Sequence, residues 1–188
     1  MKKYWNSEFA LCKAATFILR FLPNRIIYRL IALTRYWEGN KGFSIRYALY
    51  KNTCDFIGKN VKFYPSLFIL FPEKLRIGDN STLHEFSILE CKGEVEIGSN
   101  TSIAHKFSLL SSTHKYSLEG KSFRTMGLES KHTKIGNDVW IGAGVVVTYG
   151  VNIGDYAIIG AQTLVNKHCE TFGIYGGVPV RLLKNIKP

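Results

Sequence analysis

Residues 135–165 read IGNDVW-IGAGVV-VTYGVN-IGDYAI-IGAQTL-V when broken every six positions, so that Ile135, Ile141, Val147, Ile153, Ile159 and Val165 head successive units. A spacing of six fits neither the 3.6-residue period of an amphipathic helix nor the alternation of an ordinary strand. It fits a unit made of one short strand and one turn. Three such units close a triangular coil, and stacked coils share parallel backbone hydrogen bonds while their apolar columns merge into one core. β-Branched side chains suit such ladders.

The same spacing extends backwards as Ile97, Ile103 and Leu109, then Ile77, Leu83 and Leu89, then Ile57, Phe63 and Ile69. Glycine follows the key position at Gly58, Gly78, Gly98, Gly136, Gly142, Gly154 and Gly160, while Ser81, Thr101, Ala157 and Thr163 place small side chains four residues on. Both features belong near tight corners. The expectation is an all-β body of about five coils over residues 53–188, preceded by a helical segment over residues 1–52.

The remaining composition narrows the class. With 188 residues, 46% hydrophobic and 21% charged, the chain is globular rather than disordered or collagen-like. Lys13, Arg20, Arg25 and Arg29 cut every apolar stretch near the N-terminus well short of the ~20 residues that cross a bilayer. Lys13 also interrupts any signal-peptide core, which puts the mature chain in the cytosol. Cys12, Cys54, Cys91 and Cys169 form no CxxC pair and read as reduced packing residues.

The net charge of +11 is unevenly spread: residues 1–51 hold ten of the 25 Lys and Arg but two of the 14 acids. In this head Arg25 and Arg29 share one helical face, while Ile27, Leu30 and Ile31 gather on another, and Pro23-Asn24 divides two helices. Trp5, Phe17, Phe21 and Trp37 interleave with the cations. Two readings stand: a basic amphipathic pair lying on an anionic membrane through residues 1–50, or a cap packed on the first coil. No nucleic-acid recognition motif accompanies the charge.

Twenty-six positions separate Leu109 from Ile135 where the period requires six, so a loop leaves the coil over residues 111–134. Loops of that length in a compact domain are commonly functional. His114 ends its opening segment, Ser111-Ser112-Thr113-His114. A neutral imidazole there is able to take a proton near pH 7.

With these motifs, residues 55–188 resemble the hexapeptide-repeat acyltransferases, whose fold is a left-handed parallel β-helix. The position of His114 is similar to that of the catalytic histidine of maltose, galactoside and polysaccharide O-acetyltransferases. The resemblance implies transfer of acetyl from acetyl-CoA to a saccharide hydroxyl, in capsule, O-antigen or exopolysaccharide synthesis, by a homotrimer with sites between subunits. It implies acceptor contacts from His84 and Glu85, one coil before the loop, and Trp140 at the catalytic end of a donor groove. Gly142, Ala143, Ala161 and Lys167 then line coenzyme A, and Gly177-Val178-Pro179-Val180-Arg181 resembles the family's closing turn, followed by a short C-terminal helix with Arg181 and Lys184 facing phosphates. Many relatives have serine where Ala143 stands, leaving only its backbone N–H as an oxyanion donor. No metal is implied.

Alternatives remain open at this level. Lys167, Arg181 and Lys184 are otherwise a solvated basic face. An amino-sugar N-acetyltransferase is the near rival. A zinc hydratase on the same β-helix would need three converging histidines, for which His84, His105 and His114 are the available set. A non-catalytic scaffold would use the repeat alone.

Overall fold

The computed structural model describes residues 10–116, 122 and 124–186. From Phe56 onward the chain winds through three parallel faces. The first stacks Phe56–Ile57, Leu75–Ile77, Val95–Ile97, Thr133–Ile135 and Asn152–Ile153; the second stacks Lys62–Phe63, Thr82–Leu83, Ser102–Ile103, Trp140–Ile141, Ile158–Ile159 and Gly173–Gly176; the third stacks Phe68–Leu70, Ile88–Glu90, Ser108–Leu110, Val146–Val147 and Leu164–Val165. This makes five complete coils and part of a sixth. The hexad heads lie in register, Ile57 on Ile77 on Ile97 on Ile135 on Ile153, and all five are buried. An aliphatic column of this kind forms only by stacking, since no single coil can bury its own row.

The corners follow from backbone sterics and hydrogen bonding. At the first corner Asn60, Asn80 and Asn100 adopt φ of 56°, 59° and 57°, a left-handed region that Asn tolerates better than most side chains. Their amides continue the ladder outside the core, Asn60 donating to Asn80 at 3.2 Å and Asn80 to Asn100 at 3.1 Å. Inside the corner, the Ser81 hydroxyl donates to the Gly98 carbonyl at 2.7 Å and Thr101 to Gly136 at 2.8 Å. Burial of these small polar groups is thereby satisfied.

Parallel stacking leaves each end of the body with an unpaired edge, and such edges are covered in native proteins. Each coil donates N–H groups to the coil after it, as from Gly58 to Ile77 and from Tyr64 to Leu83. Carbonyls of the first coil that point away from the stack have no coil before them, and the head supplies donors to three of them. Three helices make up its described part: α1 (Ala10–Leu19), α2 (Asn24–Thr34) and α3 (Gly39–Lys51). From α3, Lys51 donates to the Ile57 carbonyl, Tyr47 to Gly58 at 2.9 Å, and Arg46 Nε to Phe63 at 2.7 Å.

Pro23 precedes α2 as expected, since it fixes φ and cannot donate inside a helix. The third helix was not expected. Wedged between the other two helices and the first coil, α3 buries Tyr47, Ala48, Leu49 and Tyr50 in succession and shows no single apolar stripe.

At the far end the expected C-terminal helix is a strand. Arg181–Asn185 runs antiparallel to Gly173–Gly176 and pairs with the edge of the last coil. A helix would have left that edge open. Gly177, at φ of 97°, lies in the reversal. The loop also carries structure: Ser112–His114 pairs antiparallel with Leu128–Ser130 before the chain re-enters the coil at Thr133. Residues 117–121 and 123 of the expected active-site loop lie outside the described residues.

Candidate active site

The second corner, where the second face turns into the third, gathers half of the expected site residues. Register across the second face brings Tyr64, His84, Ala104, Gly142 and Gly160 into one column, with Glu85, His105, Ala143 and Ala161 in the next. In the upper coils both columns consist of small residues. At Gly142 a Cβ would lie 2.6 Å from the Ala161 nitrogen, so only glycine permits this spacing of the coils. Among the described residues no backbone carbonyl accepts from the N–H of Ala143 or Ala161.

Trp140 opens the second face two residues before Gly142, between Ser102 and Ile158, and is 59% exposed. An indole so placed offers a large apolar wall to a ligand or a second subunit. Lys167 is exposed beyond the third face, and Arg181 and Lys184 are exposed on the terminal strand. They stand opposite Gly176 and Ile174, two residues apart on the partner strand, so the register shift there keeps both cations on one side of the ribbon.

His84 is half-buried. Its ring stacks on Tyr64 at 4.0 Å between centroids and its Nδ1 lies 3.6 Å from the Glu85 carboxylate. Burial lowers its pKa below the ordinary histidine range, the Glu85 charge opposes that shift, and His105 adds to it. Beside this pair is a cavity of about 480 Å³ whose walls include Tyr36, Glu38 and Phe43 from the head and Tyr64, Glu85 and Phe86 from the coils. Phe43 meets Tyr64 edge to face at 5.0 Å. Sequence reasoning found Glu85 but missed the head residues, whose proximity depends on how α3 docks. The twenty-residue spacing of Tyr64 and His84 was the available signal for that stack.

His114 is exposed and sits elsewhere. Its hairpin leaves the third corner, which in a three-sided coil lies opposite the second face that carries Trp140. No hydrogen bond or ion pair among the described residues joins His114 to His84, Glu85 or Trp140. The chain therefore brings Gly142, Ala143, Ala161 and the His84–Glu85 pair to one corner but places the His114 hairpin at another. For the same reason His84, His105 and His114 do not converge on one point, and no metal-holding cluster of His, Cys, Asp and Glu occurs among the described residues. Three of the cysteines are held as neutral thiols, with burial pushing Cys54 and Cys91 well above the usual thiol range and Cys169 to about 11.

Comparison with known proteins agrees with this architecture. A family model described as bacterial transferase hexapeptide (six repeats) matches residues 132–167. The galactoside O-acetyltransferase of Escherichia coli (strain K12) is 31% identical over 141 residues, covering 75% of this chain and 68% of that protein. The chain belongs to the hexapeptide-repeat acetyltransferases. A second relative, the putative colanic acid biosynthesis acetyltransferase WcaF of the same organism, is 30% identical over 128 residues, 68% of each chain.

Among solved structures, the hexapeptide-repeat acetyltransferase VCA0836 of Vibrio cholerae, complexed with acetyl coenzyme A, superposes with a TM-score of 0.78 at 23% identity over 98% of this chain and 94% of its own. That likeness concerns the fold, the left-handed parallel β-helix of the family. One further residue escaped the sequence reading. Glu90, on the third face, receives hydrogen bonds from Ser111 and Ser112 at the root of the His114 hairpin.

Proposed function

We propose that this acetyltransferase moves the acetyl group of acetyl-CoA to a hydroxyl of a saccharide in surface polysaccharide synthesis, with His114 as general base. The observation that carries the reading is the second corner: the small residues Gly142, Ala143 and Ala161 beside an exposed Trp140, continuous in register with the His84–Glu85 pair and its aromatic pocket. Small residues let a pantetheine arm lie close, and Lys167, Arg181 and Lys184 offer charge to its phosphates. Aromatic walls with two carboxylates suit a sugar ring, whose apolar face stacks while its hydroxyls donate.

The step is direct. The His114 imidazole takes the hydroxyl proton as the oxygen attacks the thioester carbon, the Ala143 N–H faces the developing oxyanion, and collapse expels the thiolate, which recovers the proton from the imidazolium. Because His114 leaves the corner opposite Trp140, a homotrimer supplies the missing half: the base of one subunit serves the groove of the next. The experiment is His114→Ala, expected to lower kcat by at least ~10² with coenzyme A binding nearly unchanged. Full turnover in that variant rejects the assignment.

Glu38 and Glu85 would also hold an ammonium group, which keeps the amino-sugar N-acetyltransferase as the second reading. An acceptor screen with linkage analysis separates the two.

The head supports a further role at an anionic membrane carrying lipid-linked saccharide. No helix among the described residues is long and apolar enough to cross a membrane. Phe17, Ile18, Phe21 and Leu33 are nonetheless 61–71% exposed on α1, the turn that follows it, and α2, and Arg20, Arg25 and Arg29 are exposed among them. Each cation near such a surface contributes ~1 kcal/mol, screened by salt. Salt-sensitive cosedimentation with anionic vesicles should be lost when all three arginines are replaced by glutamine. Equal sedimentation of wild type and triple variant refutes the role.

A further inference from the structure

The outward ladder of the third face reads Leu70, Glu90, Leu110 at a spacing of twenty. A carboxylate between two leucines gains nothing from either neighbour. Its partners lie instead where the coil opens. Oε2 of Glu90 accepts from the Ser111 N–H at 3.0 Å and from the Ser112 hydroxyl at 3.1 Å, and Oε1 accepts from the Lys92 N–H at 3.0 Å.

Ser111 is the last residue of the coil and Ser112 the first of the strand that ends in His114. The Ser111 carbonyl also accepts from Lys131 at 3.0 Å, where the chain returns. One carboxylate thus ties the root of the hairpin on its outgoing strand.

The hairpin itself is short, with three facing pairs: Ser112 with Ser130, Thr113 with Glu129, and His114 with Leu128. A two-stranded ribbon of that size is marginal in water, so its direction must be imposed at its root. At ~3.3 Å per residue, His114 stands only about two residues beyond the anchor. Small errors in the placement of a reacting group cost large factors in rate.

We infer that Glu90 is a positioning residue that aims the His114 hairpin without touching substrate. This rests on His114 being the base. Glutamine at position 90 keeps the shape but offers one acceptor oxygen where the carboxylate offers two, so either Lys92 or the Ser111–Ser112 pair faces an amide NH₂ group. Ser111 loses the carboxylate as a shared acceptor of its N–H and, at 3.3 Å, of its hydroxyl, but both groups still donate to the Glu90 carbonyl, at 3.1 and 2.7 Å, and the hydroxyl still accepts from the Gly93 N–H at 2.8 Å, so the coil stays closed.

The test compares full-length Glu90→Gln, Ser112→Ala and the double variant with wild type. Glu90→Gln should lower kcat about tenfold, in line with the sensitivity of rate to orientation, while the KM for acetyl-CoA and the thermal midpoint hold. The double variant should be no slower than Glu90→Gln, because both changes break one tie. Amide exchange should quicken at Thr113, His114 and Lys131 but not at Ile141 or Ile159.

Wild-type kcat in Glu90→Gln overturns the inference, as do multiplicative losses in the double variant or a fall in kcat that tracks the thermal midpoint. Should Glu90→Gln not fold, Ser112→Ala decides by the same readouts. An inactive His114→Ala beside a fully active Glu90→Gln defeats this inference alone, whereas a fully active His114→Ala defeats the base assignment first.

Discussion

The coils and the head solve the burial of polar backbone in opposite ways. Between coils, strand carbonyls meet the N–H groups of a neighbouring coil, and the buried side chains are apolar or small hydroxyls bonded across the corner. In the described head, order depends on one buried cation. Arg46 is 1% exposed, and its guanidinium reaches the Trp37 carbonyl at 2.6 Å, Thr34 at 3.4 Å and Phe63 at 2.7 Å, tying the end of α2, the turn into α3 and the first coil together. Burial lowers its pKa to about 10, which still leaves it charged at neutral pH. Repetition spreads stability over many equivalent ladders, whereas the head concentrates it in a hub.

The sharpest way to break this comparison is to cut each region once. Arg46→Met removes a donor from three carbonyls; Thr34 keeps the Trp37 N–H at 3.1 Å, and the two left unpaired cost ~1–3 kcal/mol each, so a loss of at least about 2 kcal/mol is expected. Ile141→Ala opens a cavity in the middle of the stack at a cost of ~2–5 kcal/mol. The totals overlap, but their distribution should not. Amide exchange in Arg46→Met should rise through α2, α3 and the first coil while the fourth and fifth coils keep their protection. In Ile141→Ala the coils on both sides of the defect should lose protection, since each depends on its nearest neighbours. Uniform loss across the chain in both variants would erase the distinction.

The two regions also differ in how far they could be read in advance. Ile135 to Val165 disclosed the coils because register makes the environment of one hexad head that of the next, and the arithmetic from Leu109 to Ile135 located the excursion carrying His114. What escaped is set by tertiary demands with no period. Nothing in Gly39–Lys51 marks a helix wedged on most of its sides, and nothing in Arg46 announces that an open row of carbonyls awaits it. Arg181–Asn185 became a strand because the last coil has an edge to cover. Glu90 left a trace, a carboxylate between Leu70 and Leu110 at the repeat spacing, which becomes meaningful once Ser111 and Ser112 are seen beside it. At the site, groove residues on the period were legible, whereas Tyr36, Glu38 and Phe43 were not, because they reach the pocket only when α3 docks.

The smallest expected effect lies at the seam between the two regions, where Phe43, Tyr64 and His84 form one aromatic series from head to second coil. Burial holds His84 below its ordinary pKa; Glu85 acts against this, and His105 and Lys62 act with it. Between the ordinary histidine value near 6.5 and the lowered folded value, the unfolded chain binds the proton more readily than the folded one. Stability therefore falls as pH drops through that window, and the loss is complete below the folded value. Because His84 keeps a third of its side-chain surface in water, the effect should be modest. Melting curves from pH 7.5 to 5 should show a steeper decline in wild type than in His84→Gln. Glu85→Gln, which removes the opposing charge, should lower the folded value and steepen the decline further. If head and coils are coupled through this stack, the added exchange at low pH should appear in α3 and the first two coils and spare the fifth. Parallel melting profiles for wild type and His84→Gln would show that the seam does not titrate, leaving Arg46 as the principal tie between the two regions.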